Sequence, residues 1–213
     1  MTESRGGRKR RANGEESRRR ILDAAAEIAG ERGYEGTSIA LVSEKCGLPA
    51  SSIYWHFKNK DDLIAAVIER SFDIWVDVLA LPGDDSEPMP ERLAAMAVKV
   101  AKTLLDSPDF LRLGLMLTLE RRPEEPSARR MFLQVRETAR ARLTAVLATV
   151  APEADRDTIE MITTYAIAAT DGLFIAKELG GEKVDLVRLF EMHARALYDN
   201  LTSLSGPPAR ETR

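Results

Sequence analysis

Apolar residues recur three and four positions apart along most of the chain, which is the spacing of amphipathic α-helices. The pattern is clear near the C-terminus, where Val187, Phe190, Ala194 and Leu197 follow one another at these intervals. Proline, glycine and acidic residues interrupt it most strongly in the segment 81–90, which we expect to be a loop. The pattern therefore predicts an all-α protein of about nine helices.

The apolar positions and the residues that start and stop helices give the expected bounds. The predicted helices are 15–33, 38–46, 49 or 50 to 55, 60–79, 91–106, 110–121, 127–150, 155–179 and 184–204. Hydrophobic residues make up 44% of the 213 residues, which is ample for a core.

The second and third helices are short and lie on either side of a turn around Gly47. A helix of barely two turns is not stable alone in water, so other elements must hold it. Two short helices joined by such a turn are typical of a helix-turn-helix, whose second helix enters the major groove of DNA. Pro49 precedes the third helix and offers no side-chain acceptor to cap it.

Charge is distributed unevenly along the chain, although the net charge is only −3. Residues 1–60 contain 12 Lys and Arg against 8 Asp and Glu, a net charge of +4, and residues 61–213 have a net charge of −7. We expect a basic head that neutralises phosphates and an acidic body that stays off the DNA.

Residues 1–14 are expected to form a disordered basic arm with almost no apolar residue. The basic residues are Arg5, Arg8, Lys9, Arg10 and Arg11. Two interpretations remain open: a solubilising tail, or an arm that follows phosphates or enters a minor groove.

The segment 37–63, TSIALVSEKCGLPASSIYWHFKNKDDL, resembles the DNA-binding head of the TetR family of bacterial one-component repressors. It departs from the family pattern at Ser43, Cys46 and Pro49, and beyond the first third of the chain only the architecture carries over. The matching residues are Thr37, Ile39, Val42, Gly47, Leu48, Tyr54, Trp55, His56, Phe57 and Lys60.

The third helix carries side chains that suit a groove of DNA. Ala50 permits close approach to a thymine methyl, and Ser51 and Ser52 can bond to bases or phosphates. Tyr54 could reach a phosphate, and Trp55 a base edge or sugar. Because this helix has no Arg, Asn or Gln, selectivity should depend on apolar and water-mediated contacts, on DNA shape, and on Lys45 or the arm.

Other residues of the head complete the predicted site. Thr37 or Ser38 should cap the second helix, and the resemblance places this position near a phosphate. His56 either caps its own turn or contacts a phosphate, and Lys60 is expected to bind a phosphate. The predicted DNA-binding residues are Thr37, Ser38, Lys45, Ala50, Ser51, Ser52, Tyr54, Trp55, His56 and Lys60.

The resemblance implies a homodimer that pairs through the last two long helices, because a palindromic operator needs two heads related by a two-fold axis. An intramolecular core is the alternative for the same apolar residues. The residues assigned to the interface are Ile162, Ala166, Thr170, Val187, Phe190, Ala194, Leu197 and Leu201.

The resemblance also implies a small molecule that binds among the fourth to eighth helices. A flexible, mostly apolar ligand is expected, oriented by polar groups such as Tyr165 and Thr138. The candidate pocket residues are Phe72, Trp75, Met96, Val100, Leu113, Met116, Leu117, Met131, Val135, Thr138, Tyr165 and Ala169.

Catalytic chemistry has little support in the sequence. There are two histidines, His56 and His193, one cysteine, Cys46, no Gly-rich phosphate loop and no grouping at metal-ligand spacing. We expect no enzyme activity, metal or cofactor. Asp171, in an apolar stretch, should pair with a neighbouring arginine or face solvent rather than bind a ligand.

The expected domains are the arm of 1–14, a head of 15–60, an effector-binding and dimerisation bundle of 61–205 and a disordered tail of 206–213. No apolar run approaches 18 residues and no signal peptide is recognised, so a cytoplasmic protein is expected. The predicted function is a repressor released from its operator by an apolar effector. The alternative is an all-α protein–protein interaction module without DNA readout.

Overall fold

The computed structural model describes residues 4–83, 86–119 and 127–204, with side chains described from residue 12 onward. Within these residues the chain forms nine α-helices and no strand, as the periodicity predicts. A short 3₁₀ turn, Gly181–Lys183, precedes the last helix. The helices are α1 (Ser4–Gly36), α2 (Ile39–Cys46), α3 (Ala50–His56), α4 (Lys60–Val76), α5 (Met89–Asp106), α6 (Asp109–Leu119), α7 (Ser127–Val150), α8 (Arg156–Gly180) and α9 (Leu186–Leu204).

Helix α1 begins at Ser4, which corrects the expectation of a disordered arm over residues 1–14. Arg, Lys, Ala and Glu are good helix formers, and these residues extend a helix that Ile21 and Leu22 already anchor in the core. Extension avoids the cost of nucleation. Residues 1–3 of the arm, and the tail of 206–213, lie outside the described residues.

Most helix ends agree with the sequence pattern to within a few residues. Helix α7 has the predicted bounds, and α8 starts after Asp155, whose carboxylate accepts from Thr158 N at 2.8 Å. Helix α4 is shorter than predicted, because the N–H groups of Val78 and Leu79 donate to carbonyls three residues back, in 3₁₀-type turns that do not continue the α-helix.

Contacts divide the chain into two compact units that do not follow the predicted domain boundary at residue 60. Unit 1 contains the described residues up to Asp73 together with Pro108–Val135, and unit 2 contains Ile74–Ser107 and the described residues from Arg136 onward. The predicted head therefore forms part of a larger unit that includes α6 and the start of α7.

Unit 1 is built around α1, whose apolar side packs against α2, α3 and α6. The rings of Phe72 on α4 and Phe110 on α6 lie 6.0 Å apart in an edge-to-face arrangement. The largest fully buried side chains of this unit are Ile21, Leu22, Ile53, Leu63, Ile64, Ile68, Leu111, Leu113 and Leu117. This core fixes the short helices α2 and α3.

In unit 2, α9 packs against α5 and α8, and the apolar face that we assigned to a dimer interface is used there within one chain. Six of the eight assigned residues are buried in the single chain, and Thr170 and Val187 are half-buried. The structure therefore supports the alternative of an intramolecular core. Spacing of three and four residues is the same for both kinds of helix packing, so it does not distinguish them. The six buried residues are Ile162, Ala166, Phe190, Ala194, Leu197 and Leu201.

Helix α8 is also unusually apolar. By length and composition alone, Arg156–Lys183 could cross a membrane, with a mean hydropathy of 1.3 over its most apolar window. The sequence contains no unbroken apolar run of that length. Core helices of soluble proteins have the same composition, and one side of α8 lies in the core of unit 2.

Candidate nucleic-acid interface

The turn between α2 and α3 has the backbone geometry of a helix-turn-helix. Ser38 caps α2, its hydroxyl oxygen accepting from Leu41 N at 3.2 Å. Gly47 ends α2 with φ of 65° and ψ of 25°, a left-handed conformation that glycine adopts without steric cost. These two residues fix where the chain leaves α2 and turns towards α3.

Two further hydrogen bonds hold the turn in place. Arg20 on α1 donates to the carbonyl of Cys46 at 2.6 Å. The Ser43 hydroxyl donates to the carbonyl of Leu48 at 2.6 Å. Ser43 therefore has a role here that the alanine of the family pattern could not fill.

Helix α3 buries one face and exposes the other. Ile53 on α3 and Phe57 directly after it are buried in unit 1, whereas Tyr54 is 56% and Trp55 76% exposed. Ser51 is exposed as well, and Ala50 and Ser52 are half-buried. As expected, Pro49 makes no side-chain cap, so packing rather than capping holds this helix. Its outward face combines small hydroxyls with two aromatic rings.

The structure distinguishes between the two predicted caps of α2, Thr37 and Ser38. Thr37 is only 2% exposed, and its hydroxyl donates to the carbonyl of Gly33 at 2.8 Å. Ser38 is exposed and caps α2. Thr37 is buried against the kink of α1 at Gly33, where φ is 69°. Of the two hydroxyls, only that of Ser38 therefore lies on the surface.

Both lysines predicted to bind DNA, Lys45 through base selectivity and Lys60 through a phosphate, already have partners within unit 1. Lys45 forms an ion pair with Glu27. Lys60 donates to the carbonyl of Tyr34 at 3.1 Å and lies 4.3 Å from the centre of the Tyr34 ring. Exposed ion pairs contribute little, so Lys45 can exchange Glu27 for a phosphate at small cost. Lys60 is more firmly held, but its ammonium has three donors, so its role as a phosphate ligand stays a prediction.

His56 is half-buried at the end of α3, with its ring edge-to-face with Trp55 at 4.5 Å. Burial lowers the pKa of the imidazole, and the positive charge of Arg18 lowers this pKa further. The lowered pKa favours the neutral imidazole, which has a single N–H donor for a contact with phosphate.

An open groove that the sequence did not predict runs between α1 and α3. Three residues of α1, Asn13, Gly14 and Ser17, line it opposite Ser51, Ser52, Trp55 and His56 of α3. We missed Asn13 and Gly14 because their charged surroundings predicted a disordered arm. The signal that could have placed them is the helical register of Ile21 continued towards the N-terminus.

Asp61 in the first turn of α4 holds three segments of unit 1 together. Its carboxylate accepts from Ser127 N at 2.5 Å, Ala128 N at 3.2 Å and Tyr34 Oη at 3.2 Å, and also from the Ser127 hydroxyl. Partial burial alone would raise the pKa of this carboxyl, but the hydrogen bonds outweigh it and lower the pKa below its ordinary value. From the sequence alone, Asp61 would be expected only to interact favourably with the dipole of α4.

In unit 2, Asp171 pairs with an arginine, as the sequence analysis expected. Both carboxylate oxygens of Asp171 accept from the Arg136 guanidinium at 2.7 Å, in a bidentate and partly buried pair. Among the described residues, no group of three or more His, Cys, Asp or Glu side chains could hold a metal ion.

The candidate effector residues fall equally into the two units. Most of the apolar ones are buried, whereas Met116, Thr138 and Tyr165 are exposed. The two polar groups expected to orient a ligand therefore lie at the surface of their own helices. The residues in unit 1 are Phe72, Leu113, Met116, Leu117, Met131 and Val135, and those in unit 2 are Trp75, Met96, Val100, Thr138, Tyr165 and Ala169.

The exposed side of α8 carries a regular apolar stripe, which we call the apolar α8 face. Its six residues alternate four and three positions apart, the spacing of a helix that packs along a partner. Leu179 is 85% exposed and the others are exposed too. Tyr165 belongs to this face, and its ring lies 5.7 Å from that of His193 on α9. The six residues are Met161, Tyr165, Ala168, Gly172, Ile175 and Leu179.

Known proteins are similar to this chain in the sequence of its predicted head and in its fold. Residues 21–67 match the model of the family described as bacterial regulatory proteins, tetR family. An HTH-type transcriptional repressor of Mycobacterium tuberculosis is 31% identical over 138 residues, which are 65% of this chain and 51% of the relative. The chain thus spans about half the length of this relative.

Solved structures match over most of the chain. A TetR-family transcriptional regulator of Streptomyces coelicolor has a TM-score of 0.71 at 17% identity, covering 90% of this chain and 82% of that chain. The regulator FadR of Bacillus subtilis, solved in complex with stearoyl-CoA, has a TM-score of 0.68 at 19% identity, covering 87% and 97%. At these identities the likeness shows the fold alone.

Proposed function

We propose that this chain is a DNA-binding transcriptional repressor of the TetR family of bacterial regulatory proteins. The observation that carries the proposal is the outward face of α3, where Ser51, Tyr54 and Trp55 are exposed while Ile53 anchors the helix from behind. A helix held in this way can enter a major groove without rearranging the core of unit 1. Such a protein acts in the cytoplasm, where its operator lies.

The side chains of α3 determine the kind of readout that we propose. Ser51 and Ser52 bond to base edges or phosphates, and Ala50 meets a thymine methyl. Helix α3 lacks the residues that read guanine or adenine with two hydrogen bonds, so DNA shape and bridging water contribute much of the specificity. Tyr54 donates to a phosphate and fixes the register of α3 on the duplex.

A second copy of the chain is the proposed partner of the apolar α8 face. Large apolar side chains arranged along one exposed helix face indicate a protein contact. Gly172 and Ala168 near the middle of this face permit close approach of another helix. A two-fold symmetric pair of chains would present two α3 helices to the two halves of a palindromic operator. Burial in such a dimer also accounts for the apolar composition of α8.

The proposed effector is a mostly apolar small molecule that releases the repressor from DNA. The FadR structure of Bacillus subtilis contains stearoyl-CoA, and we extend to this chain only the idea of a largely apolar ligand. Release requires that the effector bind the DNA-free state more tightly than the DNA-bound state.

Fluorescence anisotropy with labelled DNA from upstream of the gene tests the proposal directly. The protein should bind a palindrome in this DNA more tightly than a scrambled duplex of the same composition, and the affinity should fall steeply with salt. Equal affinity for both duplexes, or no binding at low salt, would contradict the proposal and favour an all-α interaction module.

A further inference from the structure

We propose that one sugar–phosphate strand of the operator lies in the groove between α1 and α3, and that Asn13 and Ser17 of α1 bind its phosphates. This inference rests on the DNA-binding function proposed above. It adds a second helix to the interface and assigns the groove to the DNA backbone rather than to the bases.

The groove is lined by hydrogen-bond donors from two helices. Asn13 contributes an amide and Ser17 a hydroxyl, opposite the Ser51 and Ser52 hydroxyls. None of the described residues that line it carries a carboxylate. Amides and hydroxyls of this kind are common phosphate ligands in protein–DNA interfaces.

The charges around the groove favour an anion. The positive charge of Arg18, next to the groove residue Ser17, reaches far enough to lower the pKa of His56 on the opposite wall, after the larger effect of burial. Towards its N-terminus, helix α1 continues through the sequence RKRR at 8–11. The basic composition of this sequence favours a polyanionic partner at this end of the chain.

The close approach of the two helices makes the groove continuous with the reading surface. A Cβ atom at Gly14 would lie 3.8 Å from the Trp55 ring, so the indole stands directly over α1 while 76% of Trp55 remains exposed. Trp55 can thus pack against a sugar at the edge of the groove. When α3 occupies a major groove, the strand that borders that groove is the part of the duplex nearest to α1.

The Ser17 hydroxyl can change its hydrogen-bond acceptor when DNA binds. In the free protein it donates to the carbonyl of Asn13 at 2.8 Å, a bond within α1 itself. Rotation of the hydroxyl towards a phosphate exchanges this bond for one to a charged acceptor, which is roughly twice as strong as a neutral one.

The test combines protein variants with DNA that lacks single charges. A set of operator duplexes is prepared, each with a neutral methylphosphonate in place of one phosphate, at a different position in each duplex. Each duplex is titrated with the wild type and with the double variant Asn13→Ala/Ser17→Ala. The wild type should lose affinity on the order of tenfold at one or two phosphates beside the α3 site. The double variant should bind unmodified DNA about as weakly, and should be insensitive to the same methylphosphonates.

Thr149→Ala is the matched control, because the Thr149 hydroxyl also donates to a carbonyl of its own helix on an exposed surface. It should bind DNA like the wild type. Alanine favours helix at all three positions, so the variants should retain their helical circular dichroism, and a loss of affinity reports the lost contacts.

Two results would overturn the inference while leaving the proposed function intact. One is a double variant that binds unmodified operator like the wild type. The other is a double variant that binds weakly but responds to every methylphosphonate as the wild type does. Failure of the wild type to bind operator DNA at all would instead remove the proposed function, and this inference with it.

Discussion

Helices α3 and α8 both expose large side chains, but the residues that surround these side chains differ in polarity. On α3, Tyr54 and Trp55 stand among serine hydroxyls, whereas on α8 the side chains of Ile175 and Leu179 continue a purely apolar stripe through Gly172. Exposed aromatic rings among hydrogen-bond donors suit a polar and charged partner such as DNA. An aliphatic stripe with small residues suits another helix. The composition around an exposed side chain therefore indicates its partner better than exposure alone.

The largest effect is expected where the helices of unit 2 meet inside one chain. Leu201→Glu places a charge at a fully buried position and should lower the free energy of unfolding by about 4 kcal/mol or more. Leu204→Glu, three residues further along α9 and exposed, should change it by less than about 0.5 kcal/mol. Urea denaturation measures both. Equal and small effects would mean that Leu201 faces solvent or a partner rather than the core.

The apolar α8 face is tested by Ile175→Glu combined with Leu179→Glu. The two-fold axis brings four negative charges together in the interface, so the proposed dimer should dissociate. In sedimentation velocity, the dissociation constant of the variant dimer should be at least about a hundredfold higher than that of the wild type. Leu119→Glu, an equally exposed leucine in unit 1, is the control and should remain dimeric. If the double variant also remains dimeric, the interface lies elsewhere.

Removal of the Tyr54 side chain tests the face of α3. Tyr54→Ala should weaken operator binding at least tenfold without lowering the melting temperature, because the ring is exposed and contributes little to the core. Tyr54→Phe, which removes only the hydroxyl, should show the part of this loss that comes from the proposed phosphate contact. Anisotropy titration and thermal unfolding of the same samples provide both measurements. Unchanged operator binding by Tyr54→Ala would remove this residue from the interface.

The smallest effect concerns the hydrogen bonds that Asp61 accepts within unit 1. Asp61→Asn weakens the hydrogen bonds from Ser127 and Ala128 and should destabilise the protein by about 1 kcal/mol at pH 7, while Asp73→Asn, on the exposed side of α4, should not. The lowered pKa of Asp61 means that its contribution is complete above the ordinary carboxyl pKa and is lost as the pH falls through the folded value. Urea midpoints of wild type and variant should therefore converge below about pH 4. A difference that stays constant with pH would show that the charge of Asp61 is not involved.

The local elements of the fold could be predicted well from the sequence. Pro126 and Pro152 bracket α7, and its apolar spacing is unbroken, so both ends were correct. The two short helices on either side of it located the turn at Gly47, and the positive φ of this residue gives the physical reason for a glycine there.

The partners of individual side chains could not be predicted in the same way. Periodicity shows that α8 is amphipathic, but it does not show whether the side with Ile162 or the side with Met161 is covered by the same chain. Likewise, nothing in the local sequence indicates that Lys60 is satisfied by the Tyr34 carbonyl, because the two residues meet only after α1 and α4 have packed. Composition also misled over residues 4–14, where the same basic residues that suggested disorder are good helix formers.

Cys46 is the only cysteine in the chain, and it is buried. Its backbone carbonyl accepts a hydrogen bond from Arg20. A thiol reagent can reach it only when α2 separates from its neighbours. The rate of alkylation of the unmodified protein therefore reports how often the reading head opens, without any introduced label. If operator DNA slows this alkylation, the ratio of the two rates measures how much DNA binding reduces the opening of the helices around Cys46.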